Sequence, residues 1–347
     1  MNDDIVATVT LHDIAKAAGV SVASVSKVLN NRPGVGDESR RRIIGIADKM
    51  GYQARASKGQ SSAAVERVTI ITPGEYYSNS QFYADVIKGI LDAASSQAVS
   101  VDVRLIGRYM PEADSDIEKI LKETASGAFL LVGLDYPEII ERIVVSGFPA
   151  IIVNGADRSM RISSVTPDNR SAGWLATCRL LAAGHRRIMH VTLPHRTSLV
   201  RRMDGFRDAL EEAGLGFDRS RDVLDLGKEG VLEYQSALAV KRALEDGRFD
   251  GVTALFCSSD LVALGVVDGL KEAGFAIPEA FSIIGIDDVA IALYSRPPLT
   301  TIRVDRLELG RVGFLMLQEK ISNPSIGVRH VDIGVELIER STVAVVG

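Results

Sequence analysis

The sequence predicts an α/β protein in which a three-helix helix-turn-helix headpiece precedes two doubly wound parallel-sheet subdomains. Two observations support this prediction. The stretch 10–30 holds two short amphipathic helical patterns around one glycine. From residue 68 onward, short apolar runs alternate with amphipathic helical patterns in two successive series, which is typical of parallel sheets covered on both faces. We expect the headpiece at 1–58, a linker at 59–67 and the core at 68–347.

Composition limits the class of protein. The chain has 347 residues, of which 46% are hydrophobic and 24% charged, and its net charge is −5. Residues 1–67 carry ten Lys or Arg against seven Asp or Glu, a net +3, so the remainder carries −8. A basic head on an acidic body indicates that only the head contacts phosphate. The two cysteines lack metal-site spacing, and we find no signal-peptide pattern or long apolar run, so we expect a cytoplasmic protein without membrane contact.

The stretch 10–30 predicts two helices joined by a tight turn. Apolar residues from Leu11 to Ala18 share one helical face, and Gly19 follows where a helix ends in a left-handed residue. Ser21 can then cap a second helix whose apolar residues again share one face. Two short helices joined so tightly must cross steeply. This is the helix-turn-helix unit, whose second helix enters a DNA major groove.

The side of the second helix that would face the groove carries short hydroxyls, small apolar groups and one cation. Serine hydroxyls and free helix amides suit phosphate oxygens, whereas Val22 and Ala23 can meet thymine methyl groups. An ordinary helical bundle with serine on its wet side is the alternative. The DNA contacts predicted from this pattern are Ser21, Val22, Ala23, Ser24, Ser26, Lys27 and Asn30.

A third helix is expected from Asp37 up to Gly51, with Ile43, Ile44, Ala47 and Met50 on its buried face. The segments VTLHDIAKAAGVSVASVSKVLN, RPGV and ADKMGY together closely resemble the DNA-binding headpiece of the LacI/GalR family of bacterial repressors. The resemblance extends at lower density over almost the whole chain. It implies that Thr10 and Tyr52 touch the DNA backbone.

The linker departs from the pattern of that family. Its members usually carry a Pro-Asn pair and a short helix with a leucine that wedges into the minor groove, but neither Pro nor Leu occurs in 53–67. We expect a flexible tether there instead of an intercalating hinge helix. The alternative is a shifted helix in which Ala63, Ala64 or Val65 takes over the wedge.

The core pattern predicts two sheets of similar size. The runs VTIIT, VDVRLI, AFLLVG and AIIVNG predict strands of the first, and RIMHVTL, VLDL, VTALFC and FSIIGID strands of the second. The resemblance implies a core like that of the sugar-binding periplasmic binding proteins, in which the closing stretch returns through both subdomains. The expected bounds are about 68–165 with 296–325 for the N-subdomain, and 166–295 with 326–347 for the C-subdomain.

Ligands of open parallel sheets bind beyond the carboxyl ends of the strands, so residues directly after strands are candidate effector contacts. Amide, hydroxyl, carboxylate and guanidinium groups there can hold adjacent hydroxyls, and aromatic rings can stack on a sugar. By resemblance, Arg202 and Asp287 match effector contacts of the family, whereas Asn154 and Ser259 replace an aspartate and an asparagine. For each residue the alternative is a strand-end cap or an internal ion pair. The candidates are Phe82, Tyr83, Asn154, Arg202, Ser259, Asp260 and Asp287.

Together these features predict a homodimeric transcription regulator that represses carbohydrate uptake or catabolism genes, binds a two-fold operator and responds to a sugar or sugar derivative. We expect no catalytic residue or cofactor, because regulation by effector binding needs no chemical step. We also expect no metal site, because side chains alternate along a strand and this places His190 and His195 on opposite faces. Alternatives are an exported solute-binding protein, which would not need residues 10–30, and a regulator that answers to a nucleobase. A dinucleotide-dependent enzyme would need G-x-G-x-x-G after the first strand, where PGEYYSN stands instead.

Overall fold

The computed structural model forms two compact units, residues 1–62 and 63–347, and the division falls within the predicted linker. The predictions for Thr10, Asn30, Tyr52 and the linker lie outside the described residues, as do the side chains of Ala23 and Ser26. The structure describes residues 11–29, 35–50, 67–107, 112–124, 127–193, 196–227 and 232–346.

The first unit contains three described helices, α1 (Leu11–Ala18), α2 (Val22–Leu29) and α3 (Asp37–Lys49). Helix α1 ends at the predicted glycine: Gly19 has φ +65°, and the Val20 amide bonds back to the Ala15 carbonyl at 3.1 Å. Ser21 caps α2, since its hydroxyl accepts a hydrogen bond from the Ser24 amide at 3.1 Å. The turn and both helices predicted from the sequence are confirmed.

The apolar faces of the three helices meet in a small core of their own. Ile14, Val25 and Ile43 are fully buried there, one from each helix. The expected burial of Ile44 is wrong, because α3 turns its Ile43–Ala47 side inward and leaves Ile44 43% exposed. The burial of α1 and α2 follows the sequence pattern closely, because each helix is short and has a single apolar face.

The second unit is built on two six-stranded sheets. The first sheet has the order β11-β5-β4-β3-β1-β2, and every neighbouring pair in it is parallel. Its strands and the elements between them are β1 (Arg67–Pro73), α4 (Gly74–Asn79), α5 (Gln81–Ser96), β2 (Ser100–Ile106), α6 (Glu112–Glu123), β3 (Ala128–Val132), α7 (Pro137–Ser146), β4 (Ala150–Val153), β5 (Ser163–Pro167) and, from the end of the chain, β11 (His330–Ile333).

The second sheet has the order β12-β10-β9-β8-β6-β7 and is parallel except for the β10–β12 pair. Its elements are α8 (Asn169–Ala182), β6 (Ile188–Thr192), α9 (Thr197–Glu212), α10 (Arg219–Asp222), β7 (Val223–Asp225), α11 (Leu232–Glu245), β8 (Ala254–Cys257), α12 (Asp260–Glu272), β9 (Ser282–Asp287), α13 (Ala290–Tyr294), β10 (Thr300–Val304) and β12 (Val335–Ile338). Helix α14 (Arg306–Ser322) packs on β3, β4 and β5 of the first sheet.

The closing stretch returns through both sheets, as the resemblance implied, but two of the subdomain bounds are wrong. Strand β10 pairs with β9, so residues 300–304 belong to the second sheet and not to the first. Strand β11 pairs with β5, so residues 330–333 belong to the first sheet and not to the second. Apolar pattern alone cannot assign such strands, because both sheets offer an edge of the same kind.

Alternate residues along each central strand face different helix layers. In β3, Leu130 and Val132 pack with α5 and α14, whereas Phe129 and Leu131 pack with α6 and α7. In the second sheet Met189 likewise joins the α11–α12 side. Both faces are therefore covered, which explains why these strands read as unbroken apolar runs in the sequence.

Two helix pairs approach unusually closely through glycine. At Gly205 on α9, an added Cβ would overlap the carbonyl oxygen of Arg170 on α8, and at Gly173 on α8 it would overlap that of Arg202. The pair α5–α14 shows the same arrangement at Gly89 and Gly310. Backbone contact at these points sets the spacing within each helix pair.

We predict that Gly205→Ala lowers the free energy of unfolding of the core by about 1–3 kcal/mol, because the backbone of α8 must move to admit one methyl group. Urea denaturation measures the change. Gly216→Ala is the matched control, since nothing lies within 4 Å of its added Cβ and its backbone is not left-handed. Equal stability of the two variants would contradict the close-packing argument.

Candidate functional site

The exposed side of α2 carries the residues predicted to contact DNA. Ser21 and Lys27 are exposed, and Val22, although apolar, is 39% exposed. Ser24 is half-buried and shares a 2.9 Å hydrogen bond with the Ser21 hydroxyl. Because these groups do not take part in the headpiece core, they form a free surface of short side chains that a groove could accommodate.

The carboxyl ends of the two sheets in the second unit lie close together, since Arg196, which follows β6, donates hydrogen bonds to carbonyls at the ends of β3 and β4. We call the region between these ends the cleft. In each sheet the strand order reverses once, between β1 and β3 in the first and between β6 and β8 in the second. Ligands of doubly wound sheets bind at such reversals, because the helices on either side leave a crevice there. At the ends of β4, β8 and β9, beside these reversals, lie the predicted effector residues Asn154, Ser259, Asp260 and Asp287.

The first wall of the cleft is aromatic. The rings of Tyr76 and Tyr83 stack with centroids 4.3 Å apart, and Phe82 meets Tyr83 edge-on at 5.2 Å. At the end of β3 the chain has a glycine, Gly133, where the Cβ of any other residue would lie only 2.8 Å from the Tyr83 hydroxyl. Asn154, at the end of β4, donates to that hydroxyl from Nδ2 at 3.0 Å. Tyr83 and Asn154 are thus brought together as expected for one site.

The second wall is centred on Arg202 of α9. Its Nε donates to Asn169 Oδ1 at 2.9 Å, one terminal nitrogen donates to the Ser258 carbonyl, and the other approaches Asp287 Oδ1 at 3.4 Å. The pair Arg202 and Asp287 therefore sits in one network at the ends of β8 and β9. Burial raises the pKa of Asp287, and the neighbouring arginines Arg202 and Arg306 oppose that shift.

Ser259 and Asp260 occupy supporting positions. The Ser259 hydroxyl caps α12 by accepting from the Val262 amide at 3.3 Å. Asp260 is fully buried, and its two oxygens accept from the Val289 amide at 3.0 Å and the Thr301 hydroxyl at 2.5 Å. Burial, together with the nearby Asp287, raises its pKa well above the usual range. For Asp260 these contacts favour the strand-end alternative over effector contact, because both of its oxygens have partners. The Ser259 hydroxyl can still donate a hydrogen bond, so its contact with the effector stays a prediction.

Arg196 is the functional candidate that the sequence analysis missed. It begins helix α9 just after the loop that follows β6, yet its guanidinium reaches the first wall of the cleft. It donates to the Tyr83 hydroxyl at 2.8 Å and to the Asn154 carbonyl at 2.9 Å, with longer contacts of 3.4 Å to Tyr76 and Gly133. The rule applied to the other candidates, that residues after a strand face the cleft, would have included it.

Backbone strain marks two of the strand ends in the cleft. Asn154 has φ +58° and Asp287 has φ +119°, conformations that side chains other than glycine rarely adopt. Such residues persist where the surrounding structure holds them, and they concentrate at binding sites. With these backbones the side chain of Asn154 meets Tyr83 and that of Asp287 meets Arg202.

Several buried polar atoms at these strand ends have no hydrogen-bond partner in the described part of the chain. Among them are Asn154 Oδ1 and Asp135 Oδ2 in the first subdomain, and the hydroxyls of Thr192 and Ser258 in the second. Buried polar atoms are nearly always satisfied in native proteins, because leaving one unpaired costs about 1–3 kcal/mol. Their concentration on both walls is the arrangement that a hydroxylated ligand would complete.

The two buried histidines of the second sheet, His185 and His190, are hydrogen-bonded within the protein. His190 is fully buried and stacks on Phe256 with ring centroids 4.3 Å apart, and its Nδ1 bonds to the Phe256 carbonyl at 2.9 Å. His185 bonds to the Thr253 hydroxyl at 2.8 Å. Among the described residues no group of three or more His, Cys, Asp or Glu is placed to hold a metal ion. In the same part of the chain, no helix has both the length and the apolarity needed to cross a membrane.

A helix-turn-helix headpiece and a two-walled cleft define the class of ligand-responsive DNA-binding proteins. Residues 10–54 match the model of bacterial regulatory proteins of the lacI family, and residues 177–343 match a periplasmic binding protein-like domain. The chain belongs to the lacI family. It is therefore a DNA-binding transcriptional regulator and not an enzyme.

Similarity to individual relatives covers nearly the whole chain. The chain is 30% identical to an uncharacterized HTH-type transcriptional regulator of Streptomyces limosus, over 96% of this chain and 94% of that one. It is 28% identical to catabolite control protein A of Priestia megaterium, over 92% and 94%. Among solved structures, the complex of the transcriptional regulator CelR with cellobiose has a TM-score of 0.71 at 24% identity, over 96% of this chain and 99% of that one. The last likeness concerns the fold alone.

We predict that the core loses stability as the pH falls from 7 to 5, because burial lowers the pKa of His190 from 6.5 to about 3. The unfolded chain then binds a proton that the folded chain excludes, so the stabilisation is complete above pH 6.5 and is lost as the pH falls toward 3. Between pH 7 and 5 the loss is about 2 kcal/mol.

Urea denaturation at several pH values measures this slope. His190→Leu is expected to be less stable at pH 7 but to show a flatter pH dependence, part of the slope remaining because burial also lowers the pKa of His185. His330→Leu, at an exposed position, serves as the control. An unchanged slope in His190→Leu would refute the assignment.

Proposed function

We propose that the protein is an effector-responsive repressor of carbohydrate uptake or catabolism genes, which binds a two-fold operator as a homodimer in the cytoplasm. The observation that carries the proposal is the cleft, in which side chains from two sheets converge on unpaired buried polar atoms. The family membership supplies the second half, a headpiece that binds DNA. A small molecule that contacts both walls of the cleft can change the arrangement of the core, and through it the DNA binding of the headpiece.

The mechanism is linkage between effector binding and the geometry of the core. The two sheets are joined by crossing segments, and Arg196 bridges their walls through the Tyr83 hydroxyl and the Asn154 carbonyl. An effector that binds both walls changes the free-energy difference between open and closed arrangements by its differential affinity for them. In a dimer, a change from one of these arrangements to the other alters how well the two headpieces fit the two halves of an operator.

The effector contacts proposed for this mechanism are Tyr83, Asn154, Arg202 and Asp287. Tyr83, stacked on the half-buried Tyr76, supplies the aromatic group, Asn154 an unpaired carbonyl oxygen, and Arg202 with Asp287 a donor–acceptor pair. Phe82, which was also predicted to contact the effector, packs in the hydrophobic core instead. Adjacent hydroxyls of a sugar suit such a set, because each can donate to one group and accept from its neighbour. A nucleobase would use the aromatic wall but leave the separated polar atoms on the second wall unpaired.

On the headpiece we predict that Val22→Gln changes which operator is preferred, because the exposed Val22 can meet a base edge and glutamine reads different bases. Thr10→Ala is expected to weaken all operators alike, since its predicted partner is a backbone phosphate. Fluorescence anisotropy with a panel of operator variants measures both. A uniform loss with Val22→Gln would remove Val22 from base readout.

On the core we predict that Arg202→Met and Asp287→Asn remove the effector response and leave effector-free operator affinity nearly unchanged. Each loses a charge-assisted hydrogen bond of about 1.5–3 kcal/mol, or one to two decades in effector affinity. The control is Arg170→Met, which breaks a surface ion pair with Asp208 at 2.5 Å.

The experiment that tests the function is an operator-binding assay with a panel of sugars, sugar acids, polyols and nucleobases, followed by the same assay on these variants. Release or tightening of operator by one compound, lost in Arg202→Met but kept in Arg170→Met, is the expected result. An operator affinity that no compound changes would refute the proposal of an effector-responsive regulator.

A further inference from the structure

Arg196 carries a charge that no acidic side chain balances within the described structure. The other two arginines near the cleft are paired, Arg202 with Asp287 at 3.4 Å and Arg306 with Asp85 at 2.9 Å. The four partners of Arg196 are hydroxyl and carbonyl oxygens, all neutral. Asp135 acts on it only at longer range and forms no ion pair with it. Arg196 is half-buried, and a partly buried guanidinium without a carboxylate partner favours an anionic ligand.

Tyr83 does not neutralise this charge. Burial raises the pKa of Tyr83 to about 12, with a smaller opposing effect of Arg196, so the phenol keeps its proton at physiological pH. The Tyr83 oxygen accepts from both Asn154 and Arg196, and no described group accepts its proton. The Tyr83 O–H and the Arg196 guanidinium therefore lie at the same point of the cleft. There the Arg196 Nε–H, and the terminal N–H groups that make only the two 3.4 Å contacts, can turn to a ligand.

The unpaired polar atoms around Tyr83 and Arg196 are ones that hydroxyl groups of a ligand would satisfy. The unpaired Asn154 Oδ1 lies on a side chain that is 94% buried, since only 6% of it is exposed. The hydroxyls of Thr192 and Ser258, on fully buried or nearly fully buried residues of the second wall, are also unpaired. A ligand that matched only the guanidinium would leave all of these atoms unsatisfied.

We infer that the effector is a hydroxylated organic anion, with a carboxylate or phosphate group held by Arg196 and the Tyr83 hydroxyl and with its hydroxyls on Asn154 and the second wall. This inference rests on the proposed function and narrows its ligand class from sugars in general to their acidic derivatives. Arg196 then determines specificity, because a neutral sugar leaves its charge without a counterion while an anionic oxygen forms charge-assisted hydrogen bonds with it.

The first test measures anion binding without DNA. Inorganic phosphate and sulfate are titrated against the full chain at constant ionic strength, with chloride as the reference, and the thermal transition is followed. Either oxyanion is expected to raise the transition temperature of the wild type more than chloride does. In Arg196→Met this anion-dependent shift is expected to vanish, and in Arg196→Lys to persist in part, because the charge remains but the planar fork is lost.

Arg201→Met is the matched control, since it removes the same charge from the same helix at a side chain that is 59% exposed. Asp135→Asn is a second variant with the opposite expectation, a stronger anion response, because it removes a nearby negative charge. Loss of stability in Arg196→Met without any change in its anion-dependent shift would show a structural role only. That result, or equal anion shifts in Arg196→Met and Arg201→Met, would overturn the inference.

The second test compares ligands that differ in charge: D-glucose, D-gluconate, D-glucuronate and D-glucose 6-phosphate, with D-galactose and D-galacturonate as a further pair. Calorimetry is expected to show the acidic member of a pair binding about ten- to one-hundred-fold more tightly than the neutral one, with the difference lost in Arg196→Met. Tighter binding of D-gluconate or D-glucuronate than of D-glucose 6-phosphate identifies a carboxylate as the bound group, and the reverse identifies a phosphate. Preference for neutral members overturns the inference.

These outcomes are separable from those of the proposed function. Arg196-dependent binding of an anion that leaves operator affinity unchanged would contradict the effector role and retain the anion site. An operator response to a neutral sugar that is unaffected by Arg196→Met would retain the effector role and contradict the anion site.

Discussion

The core depends on the way its chain completes two sheets at once. Strand β10 joins the second sheet, helix α14 covers the first, and then β11 and β12 add one strand to each. Neither sheet is complete without the stretch 300–338, which contains these four elements. The segments that cross from one sheet to the other therefore connect the two walls of the cleft.

Glycine contacts extend this constraint into the helix layer. At the α8–α9 and α5–α14 crossings the helices touch through backbone, so a change in one helix position is transmitted without a flexible side chain to absorb it. The aromatic wall and the arginine network sit on α5 and α9, one helix from each pair. A ligand that shifts either wall thus acts on elements packed too closely to deform gradually.

The electrostatics of the cleft divide its arginines by role. Arg202 is held by Asp287, by the Asn169 side chain and by the Ser258 carbonyl, which fixes its direction before any ligand arrives. Arg196 instead reaches across to neutral groups of the other sheet and keeps its charge unmatched by any described carboxylate. The first arrangement orients a donor, and the second provides the attraction for an anion.

The sequence by itself determined the headpiece and the alternation of strands and helices, because these follow from local rules. An apolar face of period 3.6, a glycine at a left-handed position and a serine cap specify α1 and α2 without help from the rest of the chain. The central strands were predictable because both of their faces are buried. Strand β5 was missed, since Ser163 and Ser164 are buried polar residues whose hydroxyls bond to the Arg329 amide and to His330 of β11.

Only the tertiary structure decided which strand ends meet and what their side chains do there. Asn154 and Asp287 became candidates by their place after strands, Tyr83 by its ring, and Arg202 by its guanidinium and the family resemblance. None of these signals could separate them from Asp260, whose oxygens are taken by residues 29 and 41 positions away. The reach of Arg196 across the cleft joins residues 113 and 42 positions apart. Such contacts depend on how two sheets are placed in space, a relation that no local pattern of apolar and polar residues encodes.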